Sequence, residues 1–131
     1  MTANLLDTNA ALIALTDPDR LPESLRRSIA AGPNILSVVS YWEVLLKSMK
    51  GILDVGDPRL WWRDALEELA ASPLSLRPEH VSAVHDLPGI HRDPFDRMLI
   101  AQAIAEDLRL VTINRRIPLY GSAGLRVLPV K

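Results

Sequence analysis

The sequence predicts an α/β fold, a three-layer α/β/α sandwich whose open, mostly parallel sheet has four to five strands. Three observations lead there. Short apolar runs of strand length recur along the chain. Most are separated by one or two helix-period segments, too long for hairpins and right for crossovers. The chain is 131 residues long and 48% hydrophobic, enough for one well-filled core.

In order, Asn4-Leu5-Leu6 reads as a short buried strand ending at Asp7, and Ala10 to Leu15 as a helix with Thr8 or Asn9 near its start. Asp17-Pro18-Asp19 is a loop. Pro22 to Ala31 is a second helix, with Pro22 in its first turn and Gly32 beyond its end. Asn34 to Ser37 is the second strand, and Ser40 to Lys50 a helix stopped by Gly51. After a turn-rich stretch, Leu60 to Ala71 is helical, with Trp62, Leu66, Leu69 and Ala70 on one face. Leu74-Ser75-Leu76 is a third strand, Pro78 to Leu87 a helix, and Pro94 to Glu106 the most regular helix of the chain. Leu110 to Ile113 is a β-branched strand, and Leu125 to Val130 a last, edge-like one. Repeats, low-complexity segments and linkers are absent, so one domain over 1–131 is expected.

With no cysteine, disulfides, thiolate nucleophiles and cysteine–zinc sites are excluded, and a reducing cytoplasm is the expected home. The first residues lack a basic leader segment, and no apolar stretch approaches a membrane span. A net charge of −1 is not the global footprint of a nucleic-acid binder, although a local basic patch suffices for one. His80, His85 and His91 lack metal-binding spacing and read as surface or capping residues.

Parallel sheets bind ligands at the carboxyl ends of their strands. Asp7 follows the first strand, Glu43 lies early in the helix after the second, Asp93 and Asp96 open the helix before the fourth, and Asn114 follows the fourth. All fall on one edge. Clustered carboxylates repel unless a cation or a proton relieves them. An all-oxygen set favours hard cations, Mg²⁺ or Mn²⁺, over zinc, and such an ion suits phosphoryl chemistry. Each acid also has a structural reading. Ser40-Tyr41-Trp42-Glu43 fits a capping box, which by itself explains Glu43 better than a site does. Asp93-Pro94 is a good helix opening, and cap is the better reading of Asp93; Asp96 fits helix dipole and site equally. An acid directly after a buried strand is harder to explain structurally, and Asp7 reads as functional.

Four motifs in this order resemble the PIN-domain ribonucleases, and within them the VapC-type toxins of bacterial toxin–antitoxin pairs. They are Leu5-Leu6-Asp7-Thr8-Asn9; Ser40-Tyr41-Trp42-Glu43-Val44 with Lys47; His91-Arg92-Asp93-Pro94-Phe95-Asp96-Arg97 with the helix after it; and Leu110-Val111-Thr112. The resemblance spans essentially the whole chain. It implies a Mg²⁺- or Mn²⁺-dependent endoribonuclease with Asp7, Glu43 and Asp96 as its acidic core and Asp93 as a nearby extra carboxylate. Thr8 or Asn9, and Thr112, would shape the metal site through hydrogen bonds. It further implies an antitoxin partner and a homodimer. One departure stands out: many relatives carry an acid where this chain has Asn114, so one metal would be held well and a second loosely.

Candidate RNA-guiding cations are Lys47, Arg92, Arg97, Arg115 and Arg116. Lys47 stands four residues after Glu43, so an i,i+4 ion pair is as good a reading as an RNA contact; Arg97 has the same relation to Asp93. Trp61 and Trp62 cannot share a helix face, so one is expected in the core and the other near the surface, where it would suit either a protein contact or half-burial. Among rivals, a haloacid-dehalogenase-type phosphatase wants a second acid where Asn9 stands, and a phospho-receiver pattern is missing. A flap-type DNA nuclease shares the carboxylate logic but is larger. A catalytically weakened binding module of the same fold is the rival from another class, with Asn114 in its favour.

Overall fold

The computed structural model describes residues 2–90, 92–114 and 117–128, with backbone only at 119, 122, 123 and 128. The strands are β1 (Asn4–Leu6), β2 (Asn34–Ser37), β3 (Ala71–Leu74), β4 (Arg109–Val111) and β5 (Arg126–Leu128). The α-helices are α1 (Thr8–Thr16), α2 (Glu23–Ala31), α3 (Val38–Met49), α4 (Pro58–Glu68), α5 (Pro78–Val84) and α6 (Pro94–Ala105), with 3-10 turns at Pro18–Arg20 and Ile117–Ala123. The strands form one sheet in the order β3-β2-β1-β4-β5, every neighbouring pair parallel.

Alternation along the central strands splits the core into two layers. Leu5, Ile35 and Leu110 face one cluster with Leu99, Ile100 and Ala103 of α6. Leu6, Leu36 and Val111 face the other, with Ala10 and Ala11 of α1, Leu25 of α2 and Ala65 of α4. The expected sandwich is therefore present, with buried strands apolar on both faces as a parallel sheet requires. At the amino ends of the strands a polar network closes the sheet. Arg109 donates from Nη2 to Asn4 Oδ1 and Ser28 Oγ, both at 2.8 Å, and Asn4 Nδ2 donates to Asn34 Oδ1 at 3.1 Å.

Among the boundaries that differ from the sequence reading, three have a plain physical reason. The third strand is Ala71–Leu74 rather than 74–76. Helix α4 ends at Glu68, and Ala70 adopts a left-handed conformation with φ 48°, which turns the chain into the strand early. Ala70 is consequently exposed rather than on the buried face. Pro73 sits inside β3, tolerated because β3 is an edge strand. Helix α3 begins at Val38, with Ser37 as its N-cap accepting from the Val39 N–H at 3.0 Å. Trp61 and Trp62 are both half-buried against the second cluster, so neither is the exposed member expected; Trp62 stacks on Tyr41 at 5.0 Å.

Candidate active site

Three helices begin at the carboxyl edge of the sheet: α1 after β1, α3 after β2, and α6, which runs back before β4. Their amino ends carry partial positive charge, and this is where the acids gather. Asp7 is the N-cap of α1, its Oδ1 accepting from the Ala10 N–H at 2.7 Å. It is only 3% exposed. Burial pushes its carboxyl up to about 7; the Thr112 hydroxyl and the Ala10 N–H pull the other way, and the charges of Asp96 and Glu43 add to the rise. Thr112 thus acts on Asp7 through a hydrogen bond, and its Oγ1 also accepts from the Asn114 N–H at 2.9 Å. Thr8 is buried and donates to Ser40 Oγ at 2.9 Å, tying α1 to α3, whereas Asn9 is exposed on the first turn of α1.

The early start of α3 overturns the capping-box reading of Glu43. Ser40 lies inside the helix, bonded to Thr8, and Glu43 lies beyond the first turn. Glu43 is buried at 3% exposure; Lys47 Nζ donates to its Oε2 at 2.7 Å, and its Oε1 has no hydrogen-bond partner among the described residues. A buried, unpartnered carboxylate oxygen is costly unless something binds it. The hydrogen bond that Lys47 donates to Glu43, with the charge of Glu43 and those of Asp93 and Asp96, holds the ammonium above its ordinary range against the opposing effect of burial. The ion-pair reading of Lys47 is thus realised.

Asp93 caps α6, its Oδ1 accepting from the N–H groups of Phe95 (2.9 Å) and Asp96 (3.3 Å). Asp96 is half-buried within electrostatic reach of Asp7 and Lys47. Asn114 is half-buried just past β4. Arg97 was expected to pair with Asp93 or to guide substrate. Its Nη1 donates instead to the Pro88 carbonyl at 2.9 Å, and its Nη2 to the Val84 carbonyl at 3.2 Å, so it braces the α5–α6 connection. Arg92 is exposed beside the α6 start, while Arg115, Arg116 and His91 lie outside the described residues.

Sequence reasoning missed Gln102, a polar residue in an apolar stretch of α6. It is fully buried, accepts from Ser37 Oγ at 2.6 Å, and donates to the Ser75 carbonyl and to His80 Nδ1, both at 3.3 Å. His80 is not a surface residue: it is fully buried, takes the Arg77 N–H at 3.1 Å on Nδ1 as a cap of α5, and therefore donates from Nε2 to Glu106 at 2.9 Å. The chain of bonds from Glu106 to Ser37 joins the helix bearing Asp96 to the cap of the helix bearing Glu43. A lone polar residue among Leu99, Ile100, Ala101 and Ala103 was the available signal.

The fit to a divalent cation rests on donor chemistry and on the Glu43 oxygen. The donors are oxygens only, one of them buried and unpartnered. Among the described residues, no three acidic or histidine side chains converge closely enough to enclose an ion by themselves. Mg²⁺ commonly takes one or two carboxylates and keeps several waters, so this arrangement fits it.

A parallel α/β sandwich with buried Asp7 and Glu43 near the carboxyl ends of β1 and β2, and half-buried Asp93 and Asp96 at the start of α6, defines a class of carboxylate-site proteins. The PIN domain family model matches residues 5–121, and the chain belongs to that family. Ribonuclease VapC22 of Mycobacterium tuberculosis is 28% identical over 119 residues, 89% of this chain and 91% of that protein. Among solved structures, the DNA-bound VapBC of Salmonella typhimurium contains a chain of 18% identity and TM-score 0.73, with 98% of both chains covered. VapBC2 of Rickettsia felis, bound to a promoter DNA fragment, gives 16% identity and TM-score 0.69 with the same coverage.

Proposed function

We propose that this protein is a Mg²⁺- or Mn²⁺-dependent endoribonuclease and the toxin of a toxin–antitoxin pair. The observation that carries the reading is the buried Asp7 beside Glu43 with its unpartnered oxygen, at the carboxyl edge of a PIN fold. The likeness to a protein named a ribonuclease and to VapBC complexes supports the substrate class and the partner.

Asp7, Asp96 and Glu43 would hold the cation, directly or through water, with Asp93 and Asn114 at its margin. A divalent ion there supplies positive charge that acidifies a water and offsets charge building on the scissile phosphate. Asp7 must lose its proton to take part. Thr112 and the α1 amide keep its carboxylate oriented. The 2′-hydroxyl is not required, so the products are a 5′-phosphate and a 3′-hydroxyl. Arg115, Arg116 and Arg92 are the proposed RNA-guiding cations.

Trp42, 53% exposed on α3, borders an apolar groove of about 130 Å³ with Val39, Leu76, Phe95 and Met98. We assign this groove, rather than the Trp61–Trp62 region, to the antitoxin; a homodimer remains part of the reading. No helix among the described residues is long and apolar enough to cross a membrane.

The test is cleavage of single-stranded RNA and of DNA with Mn²⁺ or with EDTA, beside Asp7→Asn and Asp96→Asn. Metal-dependent RNA cleavage lost in both variants is expected. Cleavage that survives EDTA or both substitutions, or a 2′,3′-cyclic phosphate product, overturns it.

A further inference from the structure

The Lys47–Glu43 pair is unlike the other helical ion pair of the same spacing among the described residues, Arg27–Glu23. Arg27 and Glu23 are both largely exposed, whereas Glu43 is buried and its other oxygen has no partner among the described residues. The ammonium also feels Asp93 and Asp96, so it sits within the field of three acids assigned to the cation site. Lys47 keeps 38% of its side chain exposed, so its stem can swing outward without leaving a hole in the core.

We infer that Lys47 is the resident counter-ion of the acidic pocket: it occupies Glu43 in the metal-free protein and is displaced when a divalent cation binds. The inference rests on the proposed metal site. An ammonium 2.7 Å from Oε2 and a dication on the same carboxylate would repel each other across a few ångströms in a partly buried setting. The unpartnered Oε1 offers the ion a place on the same carboxylate, and the repulsion between ion and ammonium at that distance drives the lysine off. The lysine therefore does two things. In the metal-free state it neutralises a buried carboxylate that would otherwise repel Asp7 and Asp96, and it keeps Glu43 in place. It also sets a threshold for metal entry, because the ion must break the pair. Once released, the ammonium lies on α3 close to the site, placed to meet a phosphate.

The test compares wild type, Lys47→Met, Glu43→Gln and the double variant by thermal melting with and without Mn²⁺, and by calorimetric titration of Mn²⁺ into the metal-free chain. Lys47→Met is expected to melt lower than wild type without metal, to recover with saturating Mn²⁺, and to bind Mn²⁺ about three- to tenfold more tightly, the equivalent of one partly buried ion pair. In the Glu43→Gln background, the added Lys47→Met change should have little further effect on either readout. An equal loss of stability with and without Mn²⁺ would mean that Lys47 merely packs. Unchanged or weaker Mn²⁺ binding, or a full effect persisting in the Glu43→Gln background, likewise overturns the inference. Asp7→Asn is the separate control: if wild type binds no Mn²⁺, or Asp7→Asn binds it as well as wild type does, the metal-site reading itself fails.

Discussion

At the residue scale, Asp7 serves two demands that conflict. Its carboxylate caps α1, but burial among other acids raises it to about 7. Replacing it with Asn keeps an oxygen for the Ala10 N–H and removes the charge. Asp7→Asn should therefore be more stable than wild type at pH 8 without metal, as denaturant unfolding would reveal, while RNA cleavage falls by about 10²- to 10⁴-fold, the usual range for one positioned group at a reacting centre. Asp7 was legible in the sequence, because an acid directly after an apolar strand has few structural explanations. Glu43 was less legible. The S-x-x-E pattern mimicked a capping box, and only the register of α3, set by Ser37, revealed that Ser40 and Glu43 are both buried inside the helix.

At the element scale, α3 and α6 must keep a fixed relation for Glu43 and Asp96 to face one space. Gln102 supplies the joint, with Ser37 on one side and His80 on the other. Gln102→Leu keeps the volume and strands the buried polar partners, which should cost about 1–3 kcal/mol, measurable by urea unfolding. A change confined to stability with full activity would mean that the joint does not set the site. The α4–β3 turn gives an independent test. Ala70 holds φ 48° with its side chain exposed. Ala70→Gly removes the left-handed penalty of about 1–2 kcal/mol and gives back part of it as unfolded-chain entropy, for a net gain of up to about 1 kcal/mol in unfolding free energy. The sequence placed this strand three residues late because a left-handed alanine has no signature and Pro73 argues against a strand until the edge position is known.

At the scale of the whole molecule, the acidic edge links stability, pH and metal. Asp7 has a folded value of about 7, above the 3.8 of an exposed aspartate. Between these values the folded chain keeps a proton that the unfolded chain releases. Its contribution to stability is thus complete below about pH 4, declines as pH rises, and is gone above about pH 7. The metal-free protein should lose stability relative to Asp7→Asn across this window, as paired denaturation curves at pH 5 and pH 8 would record. Cation binding requires the deprotonated form, so Mn²⁺ affinity should rise up to about pH 7 with release of a proton. Titrations in buffers of different ionisation enthalpy would measure that proton; its absence at pH 6 would mean that Asp7 does not bind the ion.

The sequence alone determined the sandwich, because apolar strand runs separated by helical periods admit a parallel sheet and little else, and it determined that the acids share one edge, because chain direction in such a sheet fixes which end each loop occupies. Tertiary structure decided what each side chain does there. Helix register, burial and partner choice depend on neighbours distant along the chain: Ser37 meets Gln102 across 65 positions and Thr8 meets Ser40 across 32. Through those contacts Glu43 ceases to be a cap and becomes a buried acid, Arg97 becomes a brace, and His80, one of the candidate surface or capping residues, becomes a cap buried in the core.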